Sequence, residues 1–87
     1  MDRQRIDKWL WHARMVRTRA DAAALTEAGH VRLNGKRVAA TSQPVRIGDV
    51  LTVALDRVVR VVEVQGFCER RGAALLARSL YRDIPAP

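Results

Sequence analysis

The dipeptide Asn34-Gly35 is the feature that most constrains the fold of this 87-residue chain. Both residues accept a positive φ, which the tight turn of a β-hairpin requires at its two central positions. Apolar and polar side chains alternate before the turn, since Arg32 separates Val31 from Leu33. The pattern predicts a β-hairpin whose return strand follows the turn directly.

A short helix is predicted immediately before the hairpin. Thr18 and Asp21 fit a capping box in which Asp replaces the usual Glu, and the alanines that follow favour helix. Gly29 suits the left-handed position that ends many helices. These start and stop signals predict a helix over residues 19–28.

A 3.6-residue period indicates an earlier helix, with Asp7 favourable in its first turn. One arc carries the apolar side chains that we expect in the core: Ile6, Trp9, Leu10, Ala13 and Val16. Lys8, Trp11 and Met15 fall on the opposite side. We expect this helix to end near Met15.

The second half of the chain predicts more strand than helix. Apolar runs at residues 50–55 and 58–64 predict two strands, and residues 40–45 predict a loop. Residues 70 to about 80 are compatible with a late helix.

Together these elements predict an α+β fold, in which two short N-terminal helices pack on a small, mostly antiparallel sheet and a short helix follows late in the chain. We expect a single domain over residues 1–84, and we expect residues 85–87 to begin a tail or linker.

Charge is distributed unevenly along the chain. The net charge is +7, with a pI of about 11.3. Residues 1–46 carry ten Lys/Arg against four Asp/Glu, whereas residues 47–87 carry six against five. Dense positive charge indicates an acidic partner, either a nucleic acid or an anionic membrane surface. Apart from Lys8 and Lys36 the cations are arginines, whose planar fork grips phosphate with two hydrogen bonds.

Several classes of function lack support in the sequence. The single cysteine, Cys68, cannot form an internal disulfide, and no apolar run approaches the roughly 20 residues of a membrane span. His12 and His30 lie on different predicted elements, so we expect surface or boundary histidines and no metal site. No nucleophile–base pair and no Gly-rich phosphate loop is evident. We therefore expect a cytoplasmic, non-catalytic binding module with no cofactor, no small-molecule substrate and no membrane association.

The start of the second predicted helix is the expected phosphate site. Unpaired backbone N–H groups and the positive end of the helix dipole favour an anion there. Arg17 and Arg19 bracket the capping Thr18. Further cations lie upstream and around the predicted turn: Arg5, Lys8, Arg14, Arg32, Lys36 and Arg37.

Five signatures, in order along the chain, make residues 5–53 resemble the S4 RNA-binding domain, also called the αL motif. They are Arg5-Ile6-Asp7-Lys8, Thr18-Arg19, Gly29-His30-Val31, Val31-Arg32-Leu33-Asn34-Gly35 and Gly48-Asp49. The domain occurs in a small-subunit ribosomal protein, in pseudouridine synthases and in bacterial tyrosyl-tRNA synthetases. The segment DKWLWHAR is most similar to the ribosome-associated heat-shock S4 proteins of the fifteen-kilodalton class.

The resemblance implies an S4-type fold that binds structured RNA through phosphate and shape contacts. The implied partner is rRNA or tRNA in a large ribosomal subunit that still carries a nascent chain, and the implied role is rescue or recycling of stalled subunits. Carried over by position, the RNA-facing residues are Arg5, Lys8, Arg14, Arg17, Thr18, Arg19, Arg32, Asn34 and Lys36. Members of that class carry a longer, basic C-terminal extension, whereas this sequence ends at Pro87.

Two other functions are consistent with the same patterns. One is an RNA-binding accessory domain of a larger RNA-modifying enzyme, such as a pseudouridine synthase. The other is a protein-interaction module that uses Trp11 and Met15 as an exposed apolar patch. DNA is a second, less favoured partner, because phosphate contacts discriminate poorly between nucleic acids.

Trp11 either stacks on an unpaired base or packs beneath the late helix near Leu76 and Leu80, and we favour the packing.

Overall fold

Three helices and seven strands form the part of the chain that the structure, a computed structural model, describes. That part is residues 2–85, so residues 86 and 87 of the expected tail lie outside it. In chain order the elements are β1 (Arg3–Arg5), α1 (Ile6–His12), α2 (Arg19–Glu27), β2 (Val31–Leu33), β3 (Lys36–Arg37), β4 (Pro44–Arg46), β5 (Val50–Ala54), β6 (Val59–Val64), α3 (Ala74–Arg78) and β7 (Tyr81–Asp83). The predicted α+β class, with two N-terminal helices and a short late helix, is confirmed. None of the helices described is both long and apolar enough to cross a membrane.

Most of the arc that the 3.6-residue period predicts is buried, although Ala13 and Val16 lie beyond the end of α1 and Val16 is only partly buried. Ile6, Trp9 and Leu10 are fully buried and Ala13 is nearly so. The Trp9 indole Nε1–H also donates to the carbonyl of Gly66 at 3.0 Å. A helix of seven residues has too few internal hydrogen bonds to be stable alone. Packing of this face in the core therefore stabilises α1.

Helix α1 ends at His12, not near Met15 as predicted. The cause is Arg14, which takes a left-handed φ of 60°. The Met15 N–H then donates to the Leu10 carbonyl and the Arg14 N–H to the Trp11 carbonyl, each at 3.1 Å, which is the geometry of a Schellman motif. The turn brings Met15 into the core, where it is 8% exposed. The expectation that Met15 faces solvent is wrong.

Helix α2 begins and ends where its capping signals indicate. The Thr18 Oγ1 accepts the Asp21 N–H at 3.0 Å, and Gly29 takes a φ of 85°. The helix itself ends at Glu27. It packs against α1, and its small Ala22 side chain is fully buried.

The main sheet has five antiparallel strands in the order β3-β2-β5-β6-β7. The predicted hairpin joins β2 to β3, and Asn34 and Gly35 take φ values of 50° and 84° as that turn requires. One face of the sheet forms a single cluster with the buried face of α1 through Val31, Leu51, Val53, Val62 and Val64.

Three short strands are absent from the prediction. β1 pairs with β4, with Gln4 opposite Val45, and β7 pairs with β6, with Tyr81 opposite Val64. The loop was predicted over residues 40–45, and its last two residues belong to β4. Strands of three residues contain too little alternation to be recognised from sequence. Their pairing partners are distant in the chain, so only the folded structure defines them.

Helix α3 has five residues, whereas the sequence predicts a helix from residue 70 to about residue 80. Ala77 and Leu80 are buried, but Leu75 and Leu76 are 82% and 48% exposed. The residues before Ala74 are held instead by long-range side-chain bonds, among them one from Arg14 to the Gly72 carbonyl. These contacts outweigh the local helix propensity.

His12 is 1% exposed, so the expectation of a surface or boundary histidine is wrong. Neither ring nitrogen has a hydrogen-bond partner among the described residues. Burial lowers the pKa of His12 below its ordinary value of 6.5. The nearby Cys68 backbone opposes this effect in part, while the positive charges of Lys8, Arg19 and Arg71 add to it. The imidazole is therefore neutral at pH 7.

We expect Leu10→Ala to lower the free energy of unfolding by about 2–5 kcal/mol, because it leaves a cavity in the core. The measurement is the denaturant midpoint. Leu75→Ala is the matched control, since the side chain of Leu75 is exposed and its removal should change the stability by less than about 0.5 kcal/mol. An unchanged midpoint for Leu10→Ala would show that α1 turns a different face to the sheet.

We expect the stability of the fold to decrease as the pH falls below about 6.5, because His12 has a lower pKa in the folded chain than in the unfolded one. Between the two pKa values the unfolded chain binds the extra proton, so acid favours unfolding. The measurement is the melting temperature between about pH 7 and pH 5. His12→Leu should lessen the decrease, and His30→Leu, at an exposed position, should keep it. Equal pH dependence in wild type and His12→Leu would contradict this assignment.

Candidate nucleic-acid interface

A buried carboxylate lies where the start of α1 meets the start of α2. Asp7 is 4% exposed. Arg5 donates to it from Nε to Oδ1 at 3.1 Å and from Nη2 to Oδ2 at 3.0 Å. The Nε of Arg19 lies 3.7 Å from Oδ2, which is an ion pair but is too long for a hydrogen bond. Two predicted site residues from separate elements are thus brought together around one acid.

The first turn of α2 presents the expected anion site. Arg17, Thr18 and Arg19 are all exposed. The Thr18 hydroxyl caps the helix through Asp21, while the remaining N–H groups of the first turn have no partner within the helix. Lys8 is half-buried nearby and, with Arg19, is close enough to lower the pKa of His12. The local potential is therefore positive at this end of the helix.

Arg14 has a different role from its neighbours. Its guanidinium donates to the carbonyl of Gly72, from Nε at 3.1 Å and from Nη2 at 2.9 Å. The side chain therefore holds the segment before α3 against the turn between α1 and α2. Fewer of its N–H groups remain for a phosphate than on Arg17 or Arg19.

Arg71 makes the reciprocal connection, and sequence reasoning missed it. Its Nε donates to the Trp11 carbonyl at 3.2 Å and its Nη2 to the Val16 carbonyl at 3.3 Å. Trp11 lies in the last turn of α1, and Val16 lies in the connection that leads into Arg17. Arg71 lies in the nearly neutral half of the chain, far from these partners in sequence, so no local pattern could have identified it.

Trp11 is half-buried, and the guanidinium of Arg71 lies over its ring, 5.9 Å from the centroid. The residue found over the ring thus comes from the segment before α3. Of the two leucines expected near Trp11, Leu76 is 48% exposed and Leu80 is buried in the core. With Met15 in the core, Trp11 and Met15 do not form the exposed apolar patch that a protein-interaction module would need.

The predicted hairpin turn is supported by its own asparagine. The Asn34 Oδ1 accepts the Val50 N–H at 2.9 Å, and its Nδ2 donates to Asp49 at 3.2 Å. Asp49 in turn accepts the Arg46 N–H at 2.8 Å, the capping role that its position after Gly48 predicts. Asn34 therefore orders the turn, and its amide is occupied.

Two arginines face each other across the hairpin. Arg32 on β2 lies directly opposite Arg37 on β3, and both are exposed. Like charges at directly opposite positions destabilise a sheet. The Arg37 guanidinium also packs closely against Gly29. A Cβ at position 29 would come within 2.7 Å of it, so the contact needs glycine there. Arg37 is absent from the predicted RNA-facing set, although the hairpin register places it beside Arg32.

Two of the six arginines of the second half, Arg60 and Arg82, are paired with acids. Arg60 donates to Asp83 at 2.7 Å and lies over the ring of Tyr81. Arg82 pairs with Glu63. These ion pairs join β6 to β7, so they strengthen a sheet edge and add little net positive charge.

The predicted site residues thus form two groups in the structure. A helix-start group comprises Arg5, Lys8, Arg17, Thr18 and Arg19. A hairpin group comprises Arg32, Asn34 and Lys36, to which the structure adds Arg37. Arg14 stands apart through its bond to Gly72. Within residues 2–85, no group of three His, Cys, Asp or Glu side chains is arranged to hold a metal ion.

Comparison with known proteins matches a sequence model of the S4 domain to residues 4–51. Heat shock protein 15 of Escherichia coli (strain K12) is 39% identical over 79 residues, which are 91% of this chain and 59% of that protein. The small ribosomal subunit protein uS4 of Rhodopseudomonas palustris (strain TIE-1) is 36% identical over 69 residues, 77% of this chain and 34% of that protein. The chain spans about three-fifths of the length of the heat shock relatives.

The fold agrees with that of a solved relative. A structure of heat shock protein 15 from Vibrio cholerae, described as trimeric, matches with a TM-score of 0.89 and 35% identity. The match covers 95% of this chain and 83% of that one. The similarity to the heat-shock S4 proteins that the motifs indicate is therefore confirmed. Since the S4 sequence model matches more than half of the residues of this chain, the chain belongs to the S4 domain family.

Proposed function

We propose that this chain is a non-catalytic module that binds structured RNA through phosphate and shape contacts and associates with the ribosome. The observation that carries the proposal is that Arg5 and Arg19 meet at one carboxylate at the start of α2, with Arg17 exposed just before the capping Thr18. A phosphate there meets guanidinium forks, unpaired backbone N–H groups and the positive end of the helix dipole.

The hairpin group supplies a second point of contact. The opposed Arg32 and Arg37 repel each other in the free protein, and an anion between them removes that repulsion. Lys36 adds another exposed cation beside the turn. Contacts at a helix start and at a hairpin suit the backbone of an RNA junction or loop, because A-form helices hide the base edges of their major groove.

The predicted site residues divide into two kinds in this proposal. Those that contact phosphate are Arg5, Lys8, Arg17, Arg19, Arg32 and Lys36. The others act mainly through the fold: Arg14 holds Gly72, Thr18 caps α2 and Asn34 orders the turn. We propose that both kinds of residue belong to a single domain over residues 1–84, and that this domain acts in the cytoplasm.

The ribosomal partner is the finer part of the proposal. Similarity to heat shock protein 15 and to a small-subunit ribosomal protein supports ribosomal RNA as the ligand. We propose rRNA or tRNA of the large subunit, and a role in rescue or recycling of stalled subunits. The test is ultraviolet crosslinking in cells followed by sequencing of the bound RNA. Enrichment of large-subunit rRNA or tRNA is expected, whereas enrichment of messenger RNA would contradict the assignment.

We expect Arg17→Ala and Arg19→Ala each to weaken RNA binding while the melting temperature stays near that of wild type. Each lost phosphate contact should reduce the slope of log K against log salt by roughly 0.7–0.9. Arg19 should have the larger effect, because it occupies the first helical position, where its own N–H and its guanidinium can bind one phosphate. Binding titrations at several salt concentrations measure both quantities.

Arg60→Ala and Arg78→Ala are the controls for these two variants. Arg60 is paired with Asp83, and Arg78 is exposed on α3. Both should keep the wild-type affinity and salt dependence. If either weakens binding as much as Arg19→Ala does, the RNA-binding surface lies elsewhere. A lower melting temperature with an unchanged salt slope would instead give Arg17 and Arg19 a structural role.

A further inference from the structure

An acidic side chain lies within the helix-start group, where charge alone disfavours it. Asp7 is surrounded by Arg5 and Arg19, and its carboxylate is buried. A negative charge at this position repels a polyanionic ligand. In the first turn of α1 the carboxylate also accepts the Lys8 N–H at 2.8 Å, which favours the helix but leaves its effect on a ligand to the cations around it.

The geometry of the two arginines supplies that effect. Arg5 is bound through both carboxylate oxygens, which uses two of its five N–H donors and leaves three. Arg19 is held by charge at 3.7 Å and makes no side-chain hydrogen bond within the described residues, so its donors remain available. The side chains of Arg5 and Arg19 are still 49% and 44% exposed. Both are restrained on one side and accessible on the other.

Restraint of this kind favours binding. A long side chain loses rotamer freedom when a ligand immobilises it, and that loss opposes association. A buried carboxylate is screened from salt less than an exposed one, so it restrains both arginines before the ligand arrives. Since Arg5 precedes α1 and Arg19 begins α2, the same carboxylate also sets the spacing between the two helix starts.

We propose that Asp7 is a positioning residue for RNA binding, which holds Arg5 and Arg19 in the arrangement that receives phosphate. This proposal rests on the proposed RNA-binding function. Asp7 does not contact the ligand, and it acts through the two arginines. It strengthens binding although its charge alone weakens it.

The test compares Asp7→Asn with Asp21→Asn, using purified large-subunit ribosomal RNA as the probe. Both variants remove one negative charge near the start of α2. Asp21 is exposed in the first turn and forms no ion pair with another described residue, so its loss changes charge only. Asp21→Asn should bind the RNA more tightly than wild type. Asp7→Asn should bind about tenfold more weakly, as the loss of restraint on two arginines implies.

A charge effect alone predicts that Asp7→Asn also binds more tightly, and that outcome overturns the proposal.

In a second experiment, Asp7→Asn is introduced into a variant that already carries Arg5→Ala and Arg19→Ala. There the weakening should disappear, because there are no arginines left to position. If Asp7→Asn still weakens binding in that background, Asp7 does not act through Arg5 and Arg19.

A measurement on the wild type keeps the proposal testable if Asp7→Asn does not fold. The Nε–H signals of arginine side chains in NMR relaxation experiments should show Arg5 and Arg19 to be more rigid than Arg17, which has no such carboxylate partner among the described residues. Equal mobility in all three overturns the proposal. If wild type binds no RNA, the proposed function fails too, whereas RNA binding that is unchanged in Asp7→Asn removes only the positioning role.

Discussion

Helix α1 depends on burial for its existence, and the candidate interface is built on it. Seven residues cannot sustain a helix in water, so the packing of Ile6, Trp9 and Leu10 against the sheet stabilises it. That packing determines where Asp7 points, and Asp7 brings Arg5 and Arg19 together. A loss of core packing therefore disturbs the arrangement of the cations, even though none of them lies in the core.

The S4 match ends at residue 51, but the rest of the chain contributes directly to the first half. Gly66 accepts the indole N–H of Trp9, and Cys68 accepts the side-chain amide of Gln4. Arg14 and Arg71 then exchange bonds between the segment before α3 and the α1–α2 connection. Residues beyond the matched segment thus help to hold the start of α2 in place.

The arginines of this chain have three different roles, although their side chains are chemically identical. Arg60 and Arg82 neutralise acids across the β6–β7 edge. Arg14 and Arg71 cap backbone carbonyls that the helix ends and loops leave unpaired. The other exposed arginines carry the positive charge that is available to a ligand. They include those at the helix start and the hairpin, and also Arg3, Arg46, Arg57, Arg70 and Arg78. Net charge alone cannot separate these roles, because it counts every guanidinium equally.

The local signals of the sequence predicted the elements whose hydrogen bonds are themselves local. Thr18 caps α2, Gly29 ends it in a left-handed conformation, and Asn34-Gly35 turns the hairpin, each as expected. The apolar runs that predicted two further strands also correspond to β5 and β6. Three of the five motifs that resemble the S4 domain lie on α2 and the hairpin, whereas Arg5-Ile6-Asp7-Lys8 lies where β1 meets α1 and Gly48-Asp49 lies in the turn before β5.

The tertiary structure decided what depends on distant partners. It ended α1 at His12 and turned Met15 inward, it paired the short strands β1 and β4, and it reduced the late helix to five residues. It also decided which arginines are bonded internally and which remain exposed. The end of α1 combines a local Schellman motif with the long-range bond from Arg14 to Gly72. The other outcomes follow from contacts between residues far apart in the chain, and the cost of bringing such residues together is offset only when the whole core forms.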